Sequence, residues 1–112
     1  MRINASGASV LRHGELSYDR VGKTAAMRGH TLALSERERT LLEIFMEQPG
    51  RMVSKAQIID LMCVRGEVVS ENAVEVYVHR LRRKLEIGGV RIYTVRGFGY
   101  CLDAAQIGRA HV

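Results

Sequence analysis

Ser70-Glu71-Asn72-Ala73-Val74-Glu75-Val76-Tyr77-Val78-His79-Arg80-Leu81-Arg82-Arg83-Lys84-Leu85-Glu86 is the stretch on which the fold turns. Placed on a wheel at 100° per residue, Val74, Val78, Leu81 and Leu85 recur at i, i+4, i+7 and i+11 and fall within about 60° of one another. That stripe predicts an amphipathic helix capped by Ser70, whose hydroxyl can satisfy a free N–H of the first turn. The opposite face carries Asn72, Val76, His79 and Arg83. Arg80 flanks it on one side, Glu75 and Arg82 on the other. Gly88-Gly89 ends the helix at about Glu86.

Periodicity then falls to two. Val90 to Val95 predicts a strand, Arg96-Gly97-Phe98-Gly99 a turn, and Tyr100 to Leu102 the returning strand. Upstream, Ser35 with Glu38 and Ser54 with Gln57 form two capping boxes, each opening a helix. Leu41, Leu42, Phe45 and Met46 give the first helix, through Glu47, one apolar face, and Pro49-Gly50 ends it. Ile58, Ile59, Leu61 and Met62 face a core from the second. Residues 63–69 form a connecting loop. Before Ser35, Val10-Leu11, Leu16-Ser17-Tyr18, Ala25-Ala26-Met27 and Thr31-Leu32-Ala33-Leu34 alternate with turn residues, predicting three or four short antiparallel strands. A β-rich start, three helices and a terminal hairpin make an α+β winged helix-turn-helix. The domain spans 9–103, with a disordered segment at 1–8 and a flexible tail at 104–112.

Charge points to the partner. Of 17 Lys/Arg and 12 Asp/Glu, residues 79–100 hold six cations and one acid, which is the whole net charge of +5; the rest carries eleven of each. A basic patch so confined is the footprint of a polyanion binder. A helix fits the major groove of double-stranded DNA, where arginine grips guanine through two bonds and an amide matches adenine. Arg80 and Asn72 have those groups, and Val76 suits a thymine methyl. Glu75 accepts from a cytosine amine or orients a neighbouring arginine. The cations at 82, 83 and 84 are placed to neutralise phosphates, although cations also favour the last turn of any helix. At the hairpin tip Arg96 has the minor groove or a phosphate as its target, with the Thr94 and Tyr100 hydroxyls close by.

The segments Val74 to Leu85 and Tyr93 to Tyr100, together with Leu34-Ser35-Glu36-Arg37-Glu38 and Val53-Ser54-Lys55-Ala56-Gln57, closely resemble the output domain of OmpR/PhoB-type response regulators over about residues 8–103. The paired patterns V-x-V-x-V-x-R-L-R-x-K-L and T-V-R-G-x-G-Y are highly specific together. The resemblance implies a four-stranded N-terminal sheet and a recognition helix over 71–86, with Val76 and Arg80 reading bases and Tyr77, His79, Arg82, Thr94 and Arg96 meeting phosphates. It also implies that loop 63–69, with Arg65 and Glu67, approaches RNA polymerase. It implies binding to direct-repeat half-sites as a head-to-tail tandem dimer after phosphorylation of a receiver domain on a longer chain, so that this chain is an excised output domain. Asn72-Ala73 and His79 depart from the family's commoner residues.

Other classes find little support. His13, His30, His79 and His111 are scattered, with no nucleophile elbow, phosphate loop or metal spacing, so neither an enzyme nor a cofactor is expected. A winged helix used only for protein contact would carry an apolar third-helix face. Cys63 and Cys101 lack zinc spacing and are expected to be half-buried free thiols. No run of 18 apolar residues and no leader peptide are present, which suggests a cytoplasmic protein.

Overall fold

A short meander opens the described part of the chain, residues 9–104 of the computed structural model. Strands β1 (Val10–His13), β2 (Leu16–Asp19), β3 (Thr24–Met27) and β4 (His30–Thr31) pair antiparallel in sequence order. The β3–β4 turn is a two-residue hairpin with both central residues at positive φ, Arg28 at 54° and Gly29 at 83°, the backbone twist that short hairpins favour. The fourth strand is shorter than the 31–34 expected. Beyond Thr31 only the Leu32 N–H still reaches β3, donating to the Ala25 carbonyl at 2.8 Å, and Leu32 and Leu34 pack, partly buried, against the core.

Helices α1 (Glu36–Glu47), α2 (Lys55–Val64) and α3 (Glu71–Leu85) follow. Both capping boxes are present: the Ser35 hydroxyl accepts from the Glu38 N–H and the Ser54 hydroxyl from the Gln57 N–H, each with the reciprocal side-chain bond. Ser70 caps α3 by accepting from the Ala73 N–H at 3.1 Å. The inner stripe of α3, Val74, Val78, Leu81 and Leu85, is buried. It meets Leu41, Leu42 and Phe45 of α1 and Ile58 and Met62 of α2 in one core. Full burial of each such side chain contributes about 1.5–3 kcal/mol before entropy is counted. The loop after α2 starts later than expected, because Cys63 and Val64 complete the helix. Cys63 is exposed rather than half-buried, since it follows the buried Met62 around the helix and faces outward. Cys101 is intermediate and free.

A single 3₁₀ turn, Glu86–Gly88, leads into β6 (Val90–Val95) and β7 (Gly99–Ala104). These form the wing hairpin, with Thr94 opposite Tyr100. The two-residue strand β5 (Met52–Val53), between α1 and α2, joins the far side of β7 and completes a three-stranded sheet in the order β5-β7-β6. Gly99 permits that closeness. A Cβ there would lie 2.2 Å from the Val53 carbonyl oxygen, and its φ of +153° is one that other residues rarely adopt. The layout is an α+β winged helix-turn-helix. The expectations for residues 1–8 and 105–112 lie outside the described residues. No described helix is long and apolar enough to cross a membrane.

Candidate nucleic-acid interface

The outer face of α3 is open. Asn72, Glu75, Val76, His79, Arg80 and Arg83 are all exposed, and Val76, although aliphatic, is 46% exposed. Burial of the valine–leucine stripe forces this, since residues about half a turn away must face outward. Beside α3 lies the wing. Phe98 N–H donates to the Val95 carbonyl at 2.9 Å, closing a turn in which Gly97 takes φ of 82° and Arg96 stands exposed at the tip. A groove of about 690 Å³ separates helix from wing, with Glu75 and Arg82 on one wall and Thr94 and Arg96 on the other. Of the residues expected to read bases, Glu75 lines this groove together with Arg96; Asn72, Val76 and Arg80 are exposed on α3 outside it.

Several of the expected contact residues have partners within the chain. Arg82 bridges helix and wing: its Nε donates to the Ile92 carbonyl at 2.9 Å and its Nη2 to Thr94 Oγ1 at 2.7 Å. Glu75 is paired with Lys55 at the start of α2, so its carboxylate orients a lysine of the neighbouring helix rather than an arginine of its own. Tyr77 is half-buried, with two guanidinium groups near its ring, Arg37 at 5.9 Å and Arg80 at 5.8 Å from the centroid. Arg37 also donates to the Tyr77 hydroxyl at 3.4 Å.

Lys84 is the clearest difference from the sequence expectation. Its Nζ donates to the Ala33 carbonyl at 2.8 Å and to Glu38 Oε1 at 2.7 Å, which ties it to the start of α1. Glu38 is 2% exposed, the one charged residue that is buried among the described residues. Burial opposes its ionisation, but the bonds from Lys84 and the Ser35 N–H, with the charges of Lys84 and Arg80, outweigh that and hold its carboxyl below the ordinary range. The two loop candidates are likewise engaged. Arg65 pairs with Glu47 at 2.6 Å and donates to the Leu61 carbonyl, while Glu67 pairs with Arg37 at 3.2 Å. Val64, the last residue of α2, and Val68 in the loop remain exposed.

Sequence reasoning did not single out Lys55, Arg37 or Phe98 as parts of this surface. Lys55 and Arg37 stand in the first turns of α2 and α1, and their targets, Glu75 and Tyr77, come from another helix. Only the exposed position of Phe98 between two glycines was a legible signal. Among the described residues no group of three or more His, Cys, Asp and Glu is placed to hold a metal ion.

Known proteins share this fold. Residues 29–102 match the protein family described as "Transcriptional regulatory protein, C terminal". The chain is 41% identical over 101 residues to the transcriptional regulatory protein QseB of Escherichia coli O157:H7, covering 90% of this chain and 45% of that protein. It is 40% identical over 93 residues to the response regulator protein PmrA of Pseudomonas aeruginosa, covering 83% of this chain and 41% of the other. The chain thus spans less than half the length of these relatives. Among solved structures, the C-terminal domain of the nisin resistance regulator NsrR superposes with a TM-score of 0.74 at 31% identity, covering 83% of this chain and 96% of that one. The DNA-binding domain of Klebsiella pneumoniae RstA in complex with the RstA box gives 0.71 at 26% identity, covering 84% and 96%.

Proposed function

We propose, from the premise that this chain belongs to the family of transcriptional regulatory protein C-terminal domains of the OmpR/PhoB type, that it binds double-stranded DNA sequence-specifically as the output domain of a two-component response regulator. One observation carries the reading: α3, polar and exposed on its outer side, and the cationic wing line one groove and are fastened together by Arg82. In this reading α3 enters the major groove. Asn72, Val76 and Arg80 meet base edges, which carry the sequence information, while Glu75 holds Lys55 at the rim. Tyr77, His79, Arg82, Arg83 and Thr94 face the phosphates, and Arg96 reaches the backbone or the minor groove. The RstA DNA-binding domain solved with its box, a relative at 26% identity, supports DNA binding.

The remaining partners follow from the family. A receiver domain precedes this segment on a longer, cytoplasmic chain, and phosphorylation there promotes head-to-tail dimers on direct-repeat half-sites. RNA polymerase meets the loop after α2. With Arg65 and Glu67 engaged by Glu47 and Arg37, that contact falls on the exposed Val64 and Val68, or it requires those ion pairs to open. A purely protein-binding winged helix is disfavoured by the amide, imidazole and guanidinium groups presented on α3.

Selection of bound duplexes from a random pool tests the reading directly. Recovery of a direct repeat spaced near one helical turn, about 10–11 base pairs, is the expected outcome. A pool that shows no enrichment after repeated rounds rejects it.

A further inference from the structure

We infer that Arg37, on α1 and outside the helix that faces the groove, is a positioning residue for base reading: it fixes the Tyr77 ring, and through it the Arg80 guanidinium. The inference rests on the DNA-binding reading above.

Arg37 is the second residue of α1, where the helix dipole disfavours a cation. Its local sequence therefore gives it no reason to be basic. Its partners lie far along the chain. Nε donates to Glu67 Oε1 at 3.2 Å, and Nη1 donates to the Tyr77 hydroxyl at 3.4 Å. Glu67, whose side chain is only 14% exposed, fixes the guanidinium from the loop side. A lysine carries its donors on one ammonium and lacks the guanidinium's planar fork, so it cannot hold Glu67 and Tyr77 in the same geometry.

The consequence passes through the ring. Arg80 lies one turn beyond Tyr77 on α3, with its guanidinium carbon 5.8 Å from the ring centroid, within the range of cation–π attraction. An arginine with four rotatable side-chain bonds loses entropy when it meets a base, and a ring that holds it in advance reduces that loss. Because Tyr77 oxygen accepts from Arg37, its own O–H proton points elsewhere and is free to be donated to a phosphate. Two guanidinium groups on one ring would repel each other in isolation. The acids Glu67 and Glu38, the latter sensing the charge of Arg80, offset that repulsion.

The test compares Arg37→Ala, Arg37→Lys, Arg80→Ala and the Arg37→Ala/Arg80→Ala double variant of the 112-residue chain. Each is titrated against the duplex recovered by selection and against a shuffled duplex of the same length, and thermal unfolding is followed in parallel. The ratio of the two affinities should fall roughly two- to fivefold in Arg37→Ala, the scale of one exposed cation–π contact. Arg37→Lys should recover affinity for the shuffled duplex but not the ratio. In the Arg80→Ala background, Arg37→Ala should change the ratio no further. Additive losses in the double variant, or a ratio fully restored by lysine, would overturn the positioning role. Should Arg37→Ala not fold, Arg37→Lys decides alone by the same ratio. A wild-type chain that binds both duplexes equally would instead defeat the DNA-reading function itself.

Discussion

The guanidinium of Arg82 donates to the hydroxyl of Thr94 at 2.7 Å and, through Nε, to the carbonyl of Ile92 at 2.9 Å. A side chain expected to serve phosphates thus acts as the strut between α3 and the wing. The two roles separate by substitution. Arg82→Lys keeps the charge but cannot make both bonds from a planar fork. If the strut dominates, Arg82→Lys should weaken binding nearly as much as Arg82→Ala, about tenfold on any duplex, as expected when a positioned contact is lost. Near-wild-type binding by the lysine variant, measured by fluorescence anisotropy, would make Arg82 a simple phosphate ligand.

Arg80 and Arg96 should behave as opposites. Arg80 lies on the exposed face of α3 beside Val76, so Arg80→Ala should weaken the selected site by roughly 1–3 kcal/mol and relax base choice there. Arg96 stands at the wing tip, and Arg96→Ala should lower affinity evenly across sequences and reduce the salt slope by about one. Competition assays with single-base variants of the selected duplex distinguish the two. An even loss for Arg80 would reassign it to the backbone.

The salt response itself has an expected size. Arg83 and Arg96 are exposed, and Arg82 presents what remains of its guanidinium, whereas Arg80 is assigned to base edges and Lys84 is committed to Glu38 and Ala33. About three phosphate contacts give a log–log slope near −2.7. A flat titration between low and moderate salt would argue against electrostatic binding altogether.

Much of this was legible in the sequence because the signals are local. The two capping boxes, the Val74–Leu85 stripe and the glycine-marked hairpin each fall within a dozen residues, and each appears in the structure. What escaped depends on distant partners. Strand β5 is only Met52–Val53, too short for any periodicity, and exists because β7 runs beside it. Lys84 reads as a surface cation in the last turn of α3. Only the folded chain brings it to the Glu38 carboxylate, 46 positions earlier in sequence. The exposed faces of α3 could be read from the wheel, but the neighbours that hold its side chains, Lys55 for Glu75 and Arg37 for Tyr77, could not.

The Glu38–Lys84 pair should make stability fall in acid. The folded carboxyl lies below its ordinary 4.5, so its contribution is complete above that pH and is lost as pH falls through the folded value. Glu38→Gln should flatten that part of the pH–stability profile in chemical denaturation. Lys84→Met leaves the buried carboxylate without its ammonium and should cost about 1–2 kcal/mol at neutral pH, discounted because the lysine is 39% exposed. Base choice should remain as in the parent. An unchanged acid limb in Glu38→Gln would mean that other carboxylates control it.

Gly99 sets how the wing is held. Its missing Cβ lets β7 lie against β5, and an added methyl would meet the Val53 carbonyl oxygen at 2.2 Å and the Ser54 Cα at 2.6 Å, both backbone atoms that cannot rotate away. The φ of +153° adds strain for any L side chain. Gly99→Ala should therefore destabilise the domain by about 2–4 kcal/mol, the range of overpacking combined with backbone strain. Because Ser54 also caps α2, relief of the clash would shift either the helix start or the wing. Gly97→Ala serves as the control. It too has a positive φ, 82°, but a Cβ there meets nothing within 4 Å, so only the backbone cost of about 1–2 kcal/mol remains. Equal unfolding free energies for the two variants would show that the β5–β7 contact does not limit the wing, whereas a clear excess for Gly99→Ala would establish close packing as the reason a glycine is needed there.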